Sequence, residues 1–216
     1  MSSIEKTIEN LRKNGIEAVF AEDKQAVCEK VGEMLFDGCT ITAGGSVSLK
    51  ESGVWDIIND KKYNFYDRAK PDITPEEQEK AFKAAIGCDF FFCSSNAVTE
   101  NGELVNVDGR ANRISSISFG PKKVVMIVGV NKIVSDVKEG FLRVKKIAAP
   151  KNCVRLGIDT PCSKLGHCVS LEKNSDPAMT DGCMNERRIC ANYLVSAKQT
   201  VKNRISVIIC GESLGY

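Results

Sequence analysis

The run from Asn96 to Lys132, NAVTENGELVNVDGRANRISSISFGPKKVVMIVGVNK, constrains the chain more than any other stretch. Ala97 to Glu100 and Glu103 to Val107 are short β-rich runs on either side of Asn101-Gly102. An Asn-Gly pair in that setting predicts a hairpin closed by a type I′ turn, which needs two residues that accept positive φ. Asp108-Gly109 makes a second turn and delivers Arg110, Asn112 and Arg113, a cluster of fixed donors, to a loop. After Gly120-Pro121, Val124 to Val130 is a continuous apolar run, the signature of a strand buried on both faces. Asn131 and Lys132 stand at its C-terminal end, where open α/β sheets place ligands. A binding site is expected there.

Upstream, strands and helices alternate. Ser2 or Ser3 can cap a helix over Ile4 to Asn14, with Ile4, Ile8 and Leu11 on one face. Glu17 to Ala21 is a short strand, and Asp23 to Phe36 a second helix. Cys39 to Ala43 is a strand followed at once by Gly44-Gly45-Ser46 and a helix start. In that order, bare backbone N–H groups and a hydroxyl N-cap at Ser46 can hold an anion. Tyr63 to Tyr66 is a strand ending at Asp67. Thr74-Pro75-Glu76-Glu77 opens a helix with Thr at N-cap and Pro at N1. Cys88 to Cys93 is a buried strand. Asp136 to Ala149 is an amphipathic helix stopped by Pro150, a helix is expected from about Arg187 through Val195, and Arg204 to Cys210 is the last strand. The alternation predicts an α/β fold: a mostly parallel, doubly wound sheet with the β-hairpin as its antiparallel part and a cysteine-rich C-terminal loop.

At 216 residues, one domain over 1–216 is expected, with the cysteine-rich segment at about 151–192. A formal charge of +2 gives no field that argues for nucleic acid. The apolar runs are too short to span a bilayer, and Met1 to Gly15 lacks an apolar signal core. A cytoplasmic location is expected.

The ten cysteines then point away from a disulfide framework. Cys28, Cys39, Cys88, Cys93 and Cys210 fall within elements and read as small buried hydrophobes. Cys162, Cys168, Cys183 and Cys190, spaced C-x5-C-x14-C-x6-C, lie in a polar segment without apolar periodicity. Four thiolates there can close a zinc site or hold an iron–sulfur cluster, and a loop without its own core gains most from such a staple. Free thiols and a redox disulfide are the alternatives. The lone His167 and Cys153 stand beside this set.

Several of these motifs together resemble the lactate-utilization (LUD) domain family: TAGGSVSLKESG, SNAVTENGELVNVDGRANR, FGPKKVVMIVGVNKIV, RVKKIAAP and the closing cysteine segment, from about Thr42 to Tyr216. The resemblance implies a fold related to the NagB, ribose-phosphate isomerase and CoA-transferase group, whose glycine-rich loop holds phosphate. It also implies a place in a system that oxidises L-lactate to pyruvate with iron–sulfur partner subunits. Val169 to Gly182 reads as an insertion relative to the shorter cysteine segment of the family.

The expected pocket comprises Gly44, Gly45, Ser46, Asn96, Thr99, Asn112, Arg113 and Lys132, taking a 2-hydroxy or 2-keto carboxylate or a phosphate-bearing ligand. Asp67 and Glu100 are candidate catalytic carboxylates. Glu100 is included because Thr99-Glu100-Asn101-Gly102 looks like the nucleophile signature of CoA transferases, although Asp67 occupies the better place in chain order. The alternatives to a lactate-utilization component are an acyl-CoA or phosphosugar-type enzyme using the same loop, and a metal- or redox-sensing binding protein. Homo-oligomer formation is also considered.

Overall fold

A capping box starts α1 (Ser3–Lys13): Ser2 Oγ accepts from Glu5 N, and the Glu5 carboxylate accepts from Ser2 N. This and the rest of the fold come from a computed structural model that describes residues 1–68 and 70–216. After α1 come β1 (Glu17–Ala21), α2 (Lys24–Met34) with Asp23 as N-cap, and β2 (Thr40–Ala43). Gly44 and Gly45 lead into α3 (Val47–Glu51), where Ser46 accepts from Leu49 N at 3.3 Å. Next are α4 (Val54–Ile58), β3 (Asn64–Tyr66) and α5 (Pro75–Ala84), the last opened by the expected Thr74 N-cap with Pro75 in its first turn, to which Glu77 adds a reciprocal bond that completes a capping box. The chain continues through β4 (Phe90–Cys93), β5 (Ala97–Thr99), β6 (Leu104–Asp108), α6 (Asn112–Ser118) and β7 (Lys123–Gly129). It ends with β8 (Ile133–Val134), α7 (Val137–Arg143), α8 (Ala149–Arg155), α9 (Pro161–Leu165), β9 (Asn192–Ser196) and β10 (Ile205–Cys210).

Six strands form an all-parallel sheet in the order β1-β10-β7-β4-β2-β3. Its central strands β7 and β10 are buried apart from Lys123 at the start of β7, as the apolar runs require, and each face carries its own apolar cluster under helices. Fully burying each Val or Ile of β7 and β10 contributes roughly 1.5–3 kcal/mol. From β2 the chain goes outward to β3 and then returns to β4 on the other side of β2. The C-terminal ends of β2 and β4 therefore flank a topological switch point, where doubly wound sheets open a crevice.

Several expectations are corrected. The hairpin belongs to a separate four-stranded mixed sheet, β8-β5-β6-β9, and not to the parallel sheet. Its turn is not type I′: Gly102 has φ 84°, Asn101 does not have positive φ, and Gly102 N donates to Thr99 O while Thr99 N donates to Glu103 O. That is a type I turn closed by a glycine bulge, in which one residue instead of two takes the left-handed conformation. Arg187 to Val195 holds no helix, because Asn192–Ser196 pairs along β6 and the ladder overrides local propensity.

Pro150 does not stop the helix that contains it. A π-helical turn over Val144–Ala148 joins α7 to α8, and the proline sits in the first turn of α8. The wider turn eases the clash between the ring and the preceding turn, and a first-turn residue has no need of the missing N–H. The expected loop at Asn112 and Arg113 is instead the start of α6. Asp108 Oδ2 accepts from the backbone N–H groups of Arg113 (2.7 Å) and Ile114 (2.9 Å), and so caps that helix from the end of β6.

Candidate functional site

A cleft of about 450 Å³ opens at the switch point. The parallel sheet contributes the loop after β2 through Gly45, Ser46 and Ser48, the segment after β4 through Ser94 and Asn96, and Lys132 beyond β7. The small sheet and α6 supply Asp108, Arg110, Asn112 and Arg113. Arg155 from α8 and Tyr216 close the rim, and Arg68 enters from beyond β3. Five cationic side chains thus face one carboxylate, Asp108. The near-neutral charge of the chain conceals this local excess.

Arg113 organises the floor. Its Nε donates to Asp108 Oδ1 (3.1 Å), Nη1 to Ser94 O (2.9 Å) and Asn106 Oδ1 (2.6 Å), and Nη2 to Asn96 Oδ1 (2.7 Å) and Val107 O (3.0 Å). An arginine has five N–H donors, and protein acceptors take all of them. Arg113 is therefore the tie between the two sheets, contributing field and framework and leaving no free fork for a ligand. Gly44 makes room for it, since a Cβ there would stand 3.2 Å from Arg113 Cδ. Behind the floor Arg143, with no carboxylate partner among the described residues, donates to Asn96 O (2.6 Å) and Asn131 O (3.2 Å). Burial pulls it down to about 10.

Lys132 is the second buried cation, 3% exposed. Its Nζ lies 2.8 Å from Ser48 Oγ and 3.0 Å from Ser94 Oγ, with no carboxylate in salt-bridge reach among the described residues. Burial, reinforced by the charges of Arg143 and Arg113, pulls its titration down to about 7. The C-terminal residues fold over this group. Leu214 O accepts from Ser48 Oγ (3.2 Å), and Gly215 N donates to Glu51 Oε2 (2.6 Å). A Cβ at Gly215, whose φ is +58°, would lie 2.6 Å from Ser48 Oγ and 3.5 Å from Lys132 Nζ, so that position needs glycine on two counts. Arg110 and Arg155 are the exposed cations of the rim. Arg155 Nε is held by the Tyr216 hydroxyl (2.9 Å) and by Asn152 Oδ1 (3.0 Å).

Of the residues singled out in the sequence, Gly45, Ser46, Asn96, Asn112, Arg113 and Lys132 line the cleft, and Gly44 stands directly behind it. Thr99 is fully buried in the small sheet, where its hydroxyl hydrogen-bonds the Glu103 carboxylate, and does not line the cleft. Glu100 lies on another surface. It accepts from Ser3 Oγ (2.6 Å) and pairs with Lys6 (2.9 Å) of α1, and the Ser3 hydroxyl followed by Lys6 lowers its carboxyl from the usual range. Asp67 precedes Arg68 and is not among the cleft-lining residues.

Three of the four spaced cysteines, Cys162, Cys168 and Cys190, have a local hydrogen-bond partner. Cys162 Sγ is 3.3 Å from Thr160 Oγ1 and 3.9 Å from Cys153 Sγ, Cys168 Sγ is 3.2 Å from Ser170 Oγ, and Cys190 Sγ is 3.2 Å from Arg188 Nε. Burial pushes the Cys162 thiol up to about 11 and raises that of Cys190. His167 turns to Glu172 at 3.4 Å. Among the described residues, no group of three or more His, Cys, Asp or Glu side chains is placed to hold a metal ion. As arranged, Cys162, Cys168, Cys183 and Cys190 do not fit a ready-made zinc or iron–sulfur site.

Comparison with known proteins agrees with this architecture. The family model of the LUD domain matches residues 4–210, nearly the whole chain. The chain belongs to the LUD domain family. A solved structure similar to it is that of a DUF162 family protein from Deinococcus radiodurans, with 14% sequence identity, a TM-score of 0.53 and coverage of 98% of this chain and 99% of that one. At that identity the likeness shows the fold alone. No curated protein matches the chain. Among the described residues of this LUD domain, no helix is long and apolar enough to cross a membrane.

Sequence reasoning missed Arg68, Arg155, Ser48, Ser94 and Tyr216 as cleft residues. Ser94 carried a usable signal, as the first polar residue beyond the buried strand CDFFFC. Arg155 and Tyr216 carried none, because only the tertiary fold brings them to the same rim.

Proposed function

We propose that this LUD domain binds a small, multiply charged anion in the cleft between its two sheets. The single observation that carries the reading is the convergence of Arg68, Arg110, Arg113, Lys132 and Arg155 on a crevice with one carboxylate. Arg110, Arg155 and Lys132 have no carboxylate partner among the described residues, so an incoming carboxylate or phosphate is the counter-charge that they lack. The lactate-utilization role suggested by the family resemblance makes L-lactate or pyruvate the first ligands to try, with the protein serving beside iron–sulfur subunits.

The size of the cleft favours a second reading. At about 450 Å³ it falls in the range of sites for ligands of roughly 300–1,000 Å³, well beyond a three-carbon acid. A phosphate-bearing ligand, such as a sugar phosphate or an acyl-CoA, fills it better. Thermal unfolding with L-lactate, pyruvate, inorganic phosphate and coenzyme A in turn tests both. A saturable rise in Tm that weakens with salt supports anion binding, and its dependence on ligand chooses between the readings. No shift with any of the four would remove the proposal.

A further inference from the structure

We propose that Ser94, Lys132 and Ser48 form an acyl-transfer centre in the cleft, with Ser94 as nucleophile, Lys132 as its general base and Ser48 as the residue that orients the amine. The three groups meet across three separate segments. Lys132 Nζ is 3.0 Å from Ser94 Oγ and 2.8 Å from Ser48 Oγ, and all three residues line the cleft. A hydroxyl in reach of a base that a third group holds in turn is the arrangement by which serine nucleophiles are activated, and lysine serves as the base in some of them.

The roles follow from the hydrogen bonds. Ser48 Oγ donates its proton to Leu214 O (3.2 Å), so it meets Lys132 as an acceptor and fixes one N–H of the amine. Ser94 Oγ has only a long contact of 3.4 Å to the neighbouring Ser95 O, which leaves its proton for the lone pair of an uncharged Lys132. Burial and the charges of Arg143 and Arg113 disfavour the charged lysine, and the more distant Glu51 carboxylate, outside ion-pair reach, offsets them only in part. Backbone contacts fix the nucleophile in place, since Ser94 O accepts from Arg113 Nη1 at 2.9 Å.

The step balances without a cofactor. Ser94 Oγ attacks the acyl carbon and its proton passes to Lys132 Nζ. The tetrahedral adduct collapses, the bond to the leaving group breaks, and Lys132 returns the proton to that group. Water then attacks the acyl-serine by the same route, giving a carboxylic acid and the free leaving group. The cationic cleft selects acyl donors with an anionic leaving group, an acyl phosphate or a phosphate-bearing thioester. This choice of substrate rests on the anion-binding reading, whereas the chemistry of the centre does not.

A fluorophosphonate probe, which acylation-competent serines attack with loss of fluoride, tests the chemistry on the full chain. The expected result is labelling at Ser94, identified by peptide mapping, with a rate that rises with pH through about 7 as Lys132 loses its proton. Ser94→Ala abolishes labelling, and Lys132→Met slows it by at least ~100-fold, the usual worth of a general base. Far-ultraviolet circular dichroism confirms that each variant is folded. No labelling of the folded wild type, labelling at another residue, or an unchanged rate in Lys132→Met would overturn the centre. Calorimetric titration with inorganic phosphate separates the two claims. Phosphate binding without labelling overturns the centre alone, and labelling without phosphate binding overturns only the anionic substrate class.

Discussion

Two regions of this protein promise a site in the sequence, and the fold treats them oppositely. At the ends of β2, β4 and β7, residues far apart in sequence converge: Ser48, Ser94, Arg113 and Lys132 are joined by hydrogen bonds of 3.0 Å or less. In the cysteine segment the thiols stay near enough to feel one another's charge, Cys162 that of Cys183 and Cys190 those of Cys168 and Cys183. Yet Cys162, Cys168 and Cys190 each hydrogen-bond a local neighbour, and no three are placed to hold a metal among the described residues. The difference lies in the scaffold. Parallel strands impose a common end on their loops, so polar residues just past a strand are brought together. A segment with little regular structure imposes no such register, and cysteine spacing alone does not place four sulfurs on one point.

Breaking the tie at the cleft gives the largest expected effect. Arg113→Ala removes five side-chain hydrogen bonds and leaves the largely buried Asp108 carboxylate with only its two helix-capping backbone donors and no ion-pair partner, so it should cost about 3–5 kcal/mol in urea unfolding. A loss below about 1 kcal/mol would show that the two sheets do not depend on this guanidinium.

Lys132 sharpens the comparison through pH. It titrates at about 7 in the folded chain and near its ordinary 10.5 when unfolded. Between those values the unfolded state binds more protons, so stability rises with pH across that window. Below about pH 7 the lysine is charged in both states and the cost of burying it is fully present. Lys132→Met removes this cost, partly offset by the unpaired serine hydroxyls, and should stabilise the protein by about 1–3 kcal/mol at neutral pH. The gain should shrink as the pH approaches roughly 10. Urea midpoints of both proteins at the two pH values check this, and a pH-independent difference would contradict a depressed Lys132.

Gly215→Ala is expected to have a smaller effect. The new Cβ meets Ser48 Oγ and the backbone stays at φ +58°, for a loss of about 1–2 kcal/mol. The same variant should disturb any property that depends on Lys132. Smallest of all is Cys183→Ala, on a residue that is only partly buried, which should change stability by less than about 0.5 kcal/mol. Metal analysis of protein purified without oxygen examines the same region. Stoichiometric zinc or iron there would mean that the segment rearranges around a metal, and the contrast with the cleft would then fail.

What was legible in the sequence follows the range of the interactions. The N-caps at Ser2 and Thr74 were readable because a cap and the N–H it accepts from lie three residues apart. The buried strands were readable from continuous apolar runs, and the glycine loop and Lys132 from their places after strands. Helix α6 was hidden because its cap is Asp108, across a turn from the helix start, and not the residue before it. Strand β9 was hidden because its ladder partner β6 is over eighty residues away. The passage through Pro150 depends on a π-helical turn that leaves no mark in composition. For the cleft, strand-end residues were visible individually, whereas the rim formed by Arg68, Arg155 and Tyr216 exists only in the folded chain.

The most direct test of the contrast is one set of calorimetric titrations with the ligand that raises Tm most. Wild type, the double variant Arg110→Ala/Arg155→Ala, and a variant with Ser at Cys162, Cys168, Cys183 and Cys190 would be compared. If the cleft is the site, the arginine variant loses about tenfold or more in affinity, roughly 1.4 kcal/mol, and the cysteine variant binds like wild type. Binding that survives loss of both arginines and falls with the cysteines would contradict the account and move the site to the other region.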